Sequence, residues 1–355
     1  MEAIVLVGGQ GTRLRPLTIS TPKPMLPAAG VPFLTHQLAR ARTAGIEHVV
    51  LATSYRAEVF SEHFGDGSSL GLRIDYVTET DPLGTGGGIR NVVDRLESGP
   101  SDPIVVLNGD ILSGHDIPAQ IAAHRAAGAV ATLHLVRVDD PSAFGSVPTD
   151  DRGRVTAFVE KSPEPVTNQV NAGCYVFDRA LIDTIPAGRV VSVEHETFPA
   201  LLAAGAVVVG YVEDAYWLDV GTPAAYVRAS ADLVRGVVAS SAVERPGDAW
   251  VSPSARVVGA ARVSGGSAVG PDVAVEAGST VDGSIVMDGA TVGSEVSVLR
   301  SVIGRGAELG DGCRLVDAVV GDGARLGEGN ELTSGARVWP GVRLPDCAVR
   351  FSSDA

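Results

Sequence analysis

A chain of 355 residues is longer than one hydrophobic core usually organises, so two domains are expected. It is 45% hydrophobic and 20% charged, a globular composition, and its net charge of −14 argues against nucleic acid as a partner. Three cysteines, Cys174, Cys313 and Cys347, form neither a metal-ligand spacing nor a disulfide framework, as expected in a reducing cytoplasm.

The apolar run 3–7 is five residues long, with no basic region before it. It reads as a buried first strand rather than a signal peptide or membrane span. Gly8-Gly9-Gln10-Gly11-Thr12-Arg13-Leu14-Arg15 follows it, then Pro22-Lys23-Pro24. Clustered glycines let a backbone turn tightly and bring its N–H groups to a ligand, while Arg13, Arg15 and Lys23 supply the fixed positive charge that a polyphosphate needs. No Gly-Lys-Ser/Thr follows, so this is not a Walker loop, and Gly9-Gln10-Gly11 lacks the third glycine of the dinucleotide fingerprint.

Strands are then predicted at 49–53, 74–77 and 104–107, and helices at 33–44, 56–64 and 88–96. Alternation of this kind implies a parallel sheet with right-handed crossovers, a Rossmann-like doubly wound α/β core. Ligands bind such sheets at the carboxyl ends of the strands, where the 8–11 loop and Asn108-Gly109-Asp110 both fall. Further strands near 154–160 and 173–177 would extend the sheet, and a helix over 223–235 would close a domain spanning 1–239. A polar linker is expected at 240–250, with the second domain at 251–355.

In that second part, aliphatic residues recur at Val257, Val263, Val269, Val275 and Val281 and continue to Leu344. The spacing is six, shortened to five after Val281, Val298 and Leu315, so a coil of about 17 residues repeats. Glycine often follows, as in Val269-Gly270, Val292-Gly293 and Val320-Gly321. This is the hexapeptide pattern of a parallel β-helix, in which each coil buries its aliphatic corners on the next.

A lone aspartate at a strand end, such as Asp110, also serves as an ordinary turn or cap, and so does Asp219 in Trp217-Leu218-Asp219-Val220-Gly221-Thr222-Pro223. Two such carboxylates could equally share one Mg²⁺, a hard cation that favours oxygen donors and phosphate partners. The run Gly8 to Lys23, together with Glu79-Thr80-Asp81-Pro82-Leu83-Gly84-Thr85-Gly86, Phe158-Val159-Glu160-Lys161 and the two aspartate motifs, resembles the signatures of sugar-nucleotide pyrophosphorylases. These nucleotidyltransferases join a nucleoside triphosphate to a sugar 1-phosphate. The resemblance covers the whole chain and implies a left-handed sense for the β-helix. It is greatest to the mannose-1-phosphate guanylyltransferases, through Leu34-Thr35-His36-Gln37, Leu51-Ala52-Thr53-Ser54-Tyr55 and Ser192-Val193-Glu194-His195-Glu196-Thr197-Phe198-Pro199.

What the resemblance implies can be stated residue by residue. Arg13, Lys23 and Asp110 are the expected catalytic residues. Leu6, Gly8, Gly9, Gly11, Thr12, Arg13, Glu79, Gly84 and Thr85 would bind the nucleotide. Gly145, Glu160, Lys161 and Asn171 would bind the sugar phosphate, and Asp110 and Asp219 would hold Mg²⁺. Ser162 stands where that family usually has proline. GTP and mannose 1-phosphate are the implied substrates, with homo-oligomers formed through the β-helix. Two other readings stay open at this stage: the same chemistry with another nucleotide and sugar phosphate pair, and a regulatory subunit that binds sugar nucleotides without turning them over. The seven histidines lie outside the glycine-rich, acidic and sugar-phosphate motifs and read as structural or surface residues. None lies in the β-helix, which counts against a second, acyl-transferring activity that would need a histidine base.

Overall fold

The computed structural model describes residues 1–54 and 56–350. Tyr55, in one of the stretches that carry the resemblance, lies outside the described residues. The chain packs as two compact units, each built from two separate segments. Met1–Gly9 and Gln37–Trp217 make the first, and Gln10–His36 with the chain from Leu218 onward makes the second.

The first unit is organised by a nine-stranded sheet. Arg73–Thr78, His48–Thr53, Glu2–Leu6 and Pro103–Asn108 lie side by side in that order and run parallel. Leu6 pairs with both Ala52 and Asn108, so three strands end at one level. Their β-branched runs are buried on both faces, as expected of a covered parallel sheet: Ile4, Val50 and Val106 on one face and Val49 and Val105 on the other are each 0% exposed.

Beyond Pro103–Asn108 the sheet stops being parallel. Gln169–Asp178 runs antiparallel to it and to Ala131–Arg137. The expected parallel order therefore holds for these four strands, breaks at the antiparallel Gln169–Asp178, and returns only where Val208–Val212 pairs parallel with Ala131–Arg137. The connection between Ala131–Arg137 and Gln169–Asp178 contains no crossover helix, only the short strands Gly145–Ser146 and Val159–Glu160, so the chain returns along the neighbouring strand instead of crossing over. The strand expected over 154–160 is accordingly reduced to Val159–Glu160, with isolated bridges from Arg154 and Val155. The helix expected from residue 88 starts at Gly84 and runs to Asn91.

In the second unit, the helix Pro223–Arg235 is bounded as its sequence dictates. Thr222 Oγ1 accepts the Ala225 N–H, Pro223 opens the helix, and Gly236 ends it in the left-handed region at φ 73°. From Ala249 the chain forms three parallel sheets of six, six and five short strands. Corresponding strands pair in register, as in Val269 with Val286 and Val286 with Ile303. This is the parallel β-helix, and Val269, Val275, Val281, Val292, Val298, Ile303 and Val320 form its fully buried interior. At one corner Ser267, Ser284 and Ser301 stack, each Oγ accepting the N–H of the residue one coil on.

Candidate active site

At the carboxyl end of the first strand the chain breaks into glycine. Ser54 Oγ donates to Gly8 O at 2.5 Å, which ties this turn to the end of the neighbouring strand. Gly109 donates its N–H to Leu6 O at 2.9 Å. A side chain on Gly109 would meet that same oxygen at 2.6 Å, so only glycine lets the two strand ends close up. Asp110 follows at once. Gln37 Nε2 donates to Asn108 O at 3.0 Å and to Ile111 O at 2.7 Å, gripping the backbone on both sides of this aspartate. Gln37 belongs to a stretch that carries the family likeness, but its positioning role is visible only in three dimensions.

Glu79 is half-buried close to the Gly8 turn. One carboxylate oxygen accepts the Leu83 N–H at 3.1 Å, and the other lies 2.7 Å from where a Cβ on Gly88 would stand. Burial raises its pKa above the ordinary carboxylate value, partly offset by the Leu83 hydrogen bond. Gly84 adopts φ +72°, and a Cβ there would meet Val191 O at 2.6 Å. The Gly86 and Gly87 N–H groups donate to that oxygen at 2.8 and 3.2 Å. Thr85 Oγ1 donates to Glu194 at 2.7 Å and accepts the Val193 N–H at 3.0 Å. The Thr85 hydroxyl thus clamps the glycine loop to the 191–194 segment.

Gly145, Glu160 and Lys161 come together on the two short strands. Glu160 pairs with Gly145 across the ladder, and a Cβ on Gly145 would meet Glu160 Oε2 at 2.5 Å. Lys161 takes φ +47° and places Nζ 3.2 Å from Glu160 Oε1, with its side chain 68% exposed. Asn171 lies at the irregular register of Gln169–Asp178, where its Nδ2 donates to Tyr175 Oη at 2.7 Å and its Oδ1 accepts the Gly173 N–H. The first unit therefore holds Leu6, Gly8, Gly9, Glu79, Gly84, Thr85, Asp110, Gly145, Glu160, Lys161 and Asn171.

The second unit holds the rest of the phosphate-loop motif: Gly11, Thr12, Arg13, Lys23 and Asp219. Gly11 is left-handed at φ +59°, its carbonyl accepts Thr18 Oγ1 at 2.8 Å, and its missing Cβ would touch Lys23 Cβ at 3.0 Å. Thr12–Leu14 is a 3₁₀ turn, and Lys23 is buried at the start of another, Lys23–Met25. Arg13 reaches to 3.9 Å from Asp219 Oδ2. A Cβ on Gly221 would stand 2.6 Å from the Arg13 guanidinium, so that glycine leaves the cation its place.

Asp110 and Asp219 offer hard carboxylate oxygens, the donor chemistry that Mg²⁺ with phosphate partners requires. Among the described residues there is no group of three or more His, Cys, Asp or Glu side chains that could hold a metal ion. The histidines are engaged elsewhere. His36 bonds Ser240 and Ala28, His48 bridges Glu2 and Asp75, and His124 bonds Thr132 and Asp178. His115 and His134 stack at 3.7 Å.

The Nucleotidyl transferase family matches residues 2–236, and the GMPPB C-terminal domain family matches residues 246–346. The chain is 57% identical to a mannose-1-phosphate guanylyltransferase of Mycobacterium tuberculosis, over 100% of this chain and 98% of that protein. It is 35% identical to mannose-1-phosphate guanylyltransferase 1 of Arabidopsis thaliana over 78% of this chain and 77% of that one. Among solved structures, HddC from Yersinia pseudotuberculosis superposes with a TM-score of 0.56 at 28% identity, covering 64% of this chain and 97% of its own. With strand ends, glycine turns and basic loop arranged as described, the chain belongs to the nucleotidyl transferase family, as an enzyme with a C-terminal β-helix.

Proposed function

We propose that this enzyme transfers a guanylyl group from GTP to mannose 1-phosphate, giving GDP-mannose and pyrophosphate. The observation that carries the reading is the 57% identity to a mannose-1-phosphate guanylyltransferase along the full length of both chains. A phosphate oxygen of the sugar 1-phosphate attacks the α-phosphorus in line. One P–O bond forms as the bond to the leaving pyrophosphate breaks, and no covalent enzyme intermediate is needed. Rate then comes from positioning and from charge neutralisation.

In this reading Arg13 meets the charge that grows on the pyrophosphate, and Lys23 aligns the α-phosphate. The 8–12 backbone, with Leu6, Glu79, Gly84 and the Thr85 clamp, forms the nucleotide's seat. Glu160 takes sugar hydroxyls, Lys161 the sugar phosphate, and Gly145 and Asn171 the edge of the sugar. Asp110 and Asp219 would hold Mg²⁺, which when bound offsets phosphate charge. We expect self-association through the β-helix domain, as the likeness to the family implies. Among the described residues no helix is long and apolar enough to cross a membrane. We place the enzyme in the cytoplasm on its cysteine usage, since Cys174, Cys313 and Cys347 are all free thiols.

The test is pyrophosphate release with Mg²⁺ across a matrix of nucleoside triphosphates and sugar 1-phosphates. GTP with mannose 1-phosphate should dominate. A dominant signal from another pair overturns the substrate assignment and keeps the chemistry. No release from folded protein with any pair leaves a regulatory subunit as the answer.

A further inference from the structure

The phosphate loop is not held by its own hydrogen bonds alone. Within the second unit, Arg337 Nη1 donates to Arg13 O at 3.0 Å and to Arg15 O at 2.6 Å, so one guanidinium nitrogen spans the 3₁₀ turn that carries Arg13. Two further ties follow along the same loop. Ser20 Oγ donates to Asp322 Oδ2 at 2.7 Å, and Arg305 Nη1 donates to Thr21 Oγ1 at 3.0 Å. Asp322 and Arg305 are themselves locked together, since the Arg305 N–H donates to Asp322 Oδ1 at 2.9 Å.

These donors and acceptors project from successive coils of the β-helix, a rigid support. Arg337 opens the strand Arg337–Val338, which pairs in register with Val319 and Val320 while Val338 is buried in the interior. The loop itself contributes weak restraint: two short 3₁₀ turns between residues 11 and 19, closed by bonds such as Leu14 N to Gly11 O at 3.0 Å and Ile19 N to Pro16 O at 3.3 Å. A cation that must meet charge on a leaving group gains from a backbone that cannot drift, because small misplacements cost rate out of proportion to their size.

We propose that Arg337 is a positioning residue for the nucleotidyl transfer: the β-helix, through Arg337 and the Arg305–Asp322 pair, fixes the backbone from which Arg13 acts. This rests on the assignment of Arg13 to the triphosphate made above.

The experiment compares wild type, Arg337→Ala, Arg337→Lys and Arg314→Ala in full-length protein, by steady-state kinetics and by hydrogen exchange of the 11–19 amides. Arg314 is an exposed strand residue on the same β-helix and serves as the control. Arg337→Ala is expected to lower kcat/KM for the triphosphate roughly 10- to 100-fold. It should also speed exchange in the loop, with the thermal midpoint and the KM for sugar phosphate unchanged. Arg337→Lys, which keeps an N–H donor of nearly the same reach, should recover most of the loss, and Arg314→Ala should behave as wild type. Unchanged exchange in Arg337→Ala overturns the proposal. So does faster exchange with unaltered kcat/KM, or a loss matched by Arg314→Ala. Were wild type itself to show no turnover, the functional reading would fall, while exchange would still decide whether the β-helix braces the loop.

Discussion

Arg13 carries the largest share of the proposed chemistry, and its surroundings make that testable at single residues. Arg13→Ala and Asp110→Asn should each reduce kcat by about 10²- to 10³-fold, the usual cost of removing one fixed charge from a transition state. Near-wild-type turnover in either folded variant would remove that residue from the mechanism. Gly221→Ala makes a subtler change. The new methyl would sit 2.6 Å from Arg13 Nη2, and a flexible guanidinium will move before the backbone does. We expect about a tenfold loss of kcat/KM with an unaltered melting temperature; a matched loss of stability would show that the backbone gave way instead. The histidine pair makes a prediction about acid. Burial lowers the pKa of His115 to about 2, helped by His134 and Arg40, and that of His134 to about 3, helped by Arg40. Unfolded histidine titrates near 6.5, so below that pH the unfolded chain binds more protons. Stability should therefore fall as pH drops from 6.5 toward about 3, by roughly 1.4 kcal/mol per pH unit for each histidine. Removing one titrating group with His134→Leu should flatten that slope in urea midpoints taken between pH 6 and 4. An unchanged slope would show that the pair does not titrate as argued.

At the scale of elements, the β-helix was the most legible part of the chain and the sheet less so. Each coil repeats the same demand on its aliphatic corners, so the pattern from Val269 to Val338 announces itself many times over. The reversal at Gln169–Asp178 leaves no comparable mark, because a buried antiparallel strand and a buried parallel one use the same apolar residues. The start of Gly84–Asn91 was misplaced for a related reason: three consecutive glycines weaken any helical signal, and it is the Val191 carbonyl, far along the chain, that holds them. Of the site, the glycines and charges could be read directly from their motifs. The partners that position them, Gln37, Glu194, Gly221 and Arg337, could not, because each acts across a large sequence separation. Within the β-helix, the serine stack turns regularity into a requirement. Ser284→Ala would strip the Ser301 N–H of its buried acceptor and should cost about 1–3 kcal/mol in urea unfolding. Ser297→Ala, on a more open face, should stay within about 0.5 kcal/mol. Equal effects would mean that the stack adds nothing particular.

At the scale of the molecule, the second unit cannot be cut out by sequence position. Trp250 lies directly over Gly30, whose absent Cβ would fall 2.3 Å from the indole, and Gly266 packs on Ala231 in the same fashion. Tyr226 Oη donates to Pro27 O, Ser230 Oγ accepts the Ala29 N–H at 3.0 Å, and His36 meets Ser240. A fragment ending at residue 240 would keep every proposed site residue and lose the surface on which the phosphate loop and the helix Pro223–Arg235 are packed. It should lack near-ultraviolet dichroism typical of fixed packing and show less than about a hundredth of full-length turnover. A fragment with native-like turnover would show that the β-helix is dispensable for the loop.

The tie between Arg337 and the Arg13 carbonyl joins residues 324 positions apart. During synthesis at about 5–20 residues per second, the phosphate loop leaves the ribosome early and waits tens of seconds for its anchor. A nascent chain stalled near residue 300 already contains the proposed catalytic set, yet the arginine that steadies Arg13 has not been made. Competence is thereby deferred until residue 337 has been made, and copies cut short before it are expected to be poor consumers of nucleotide.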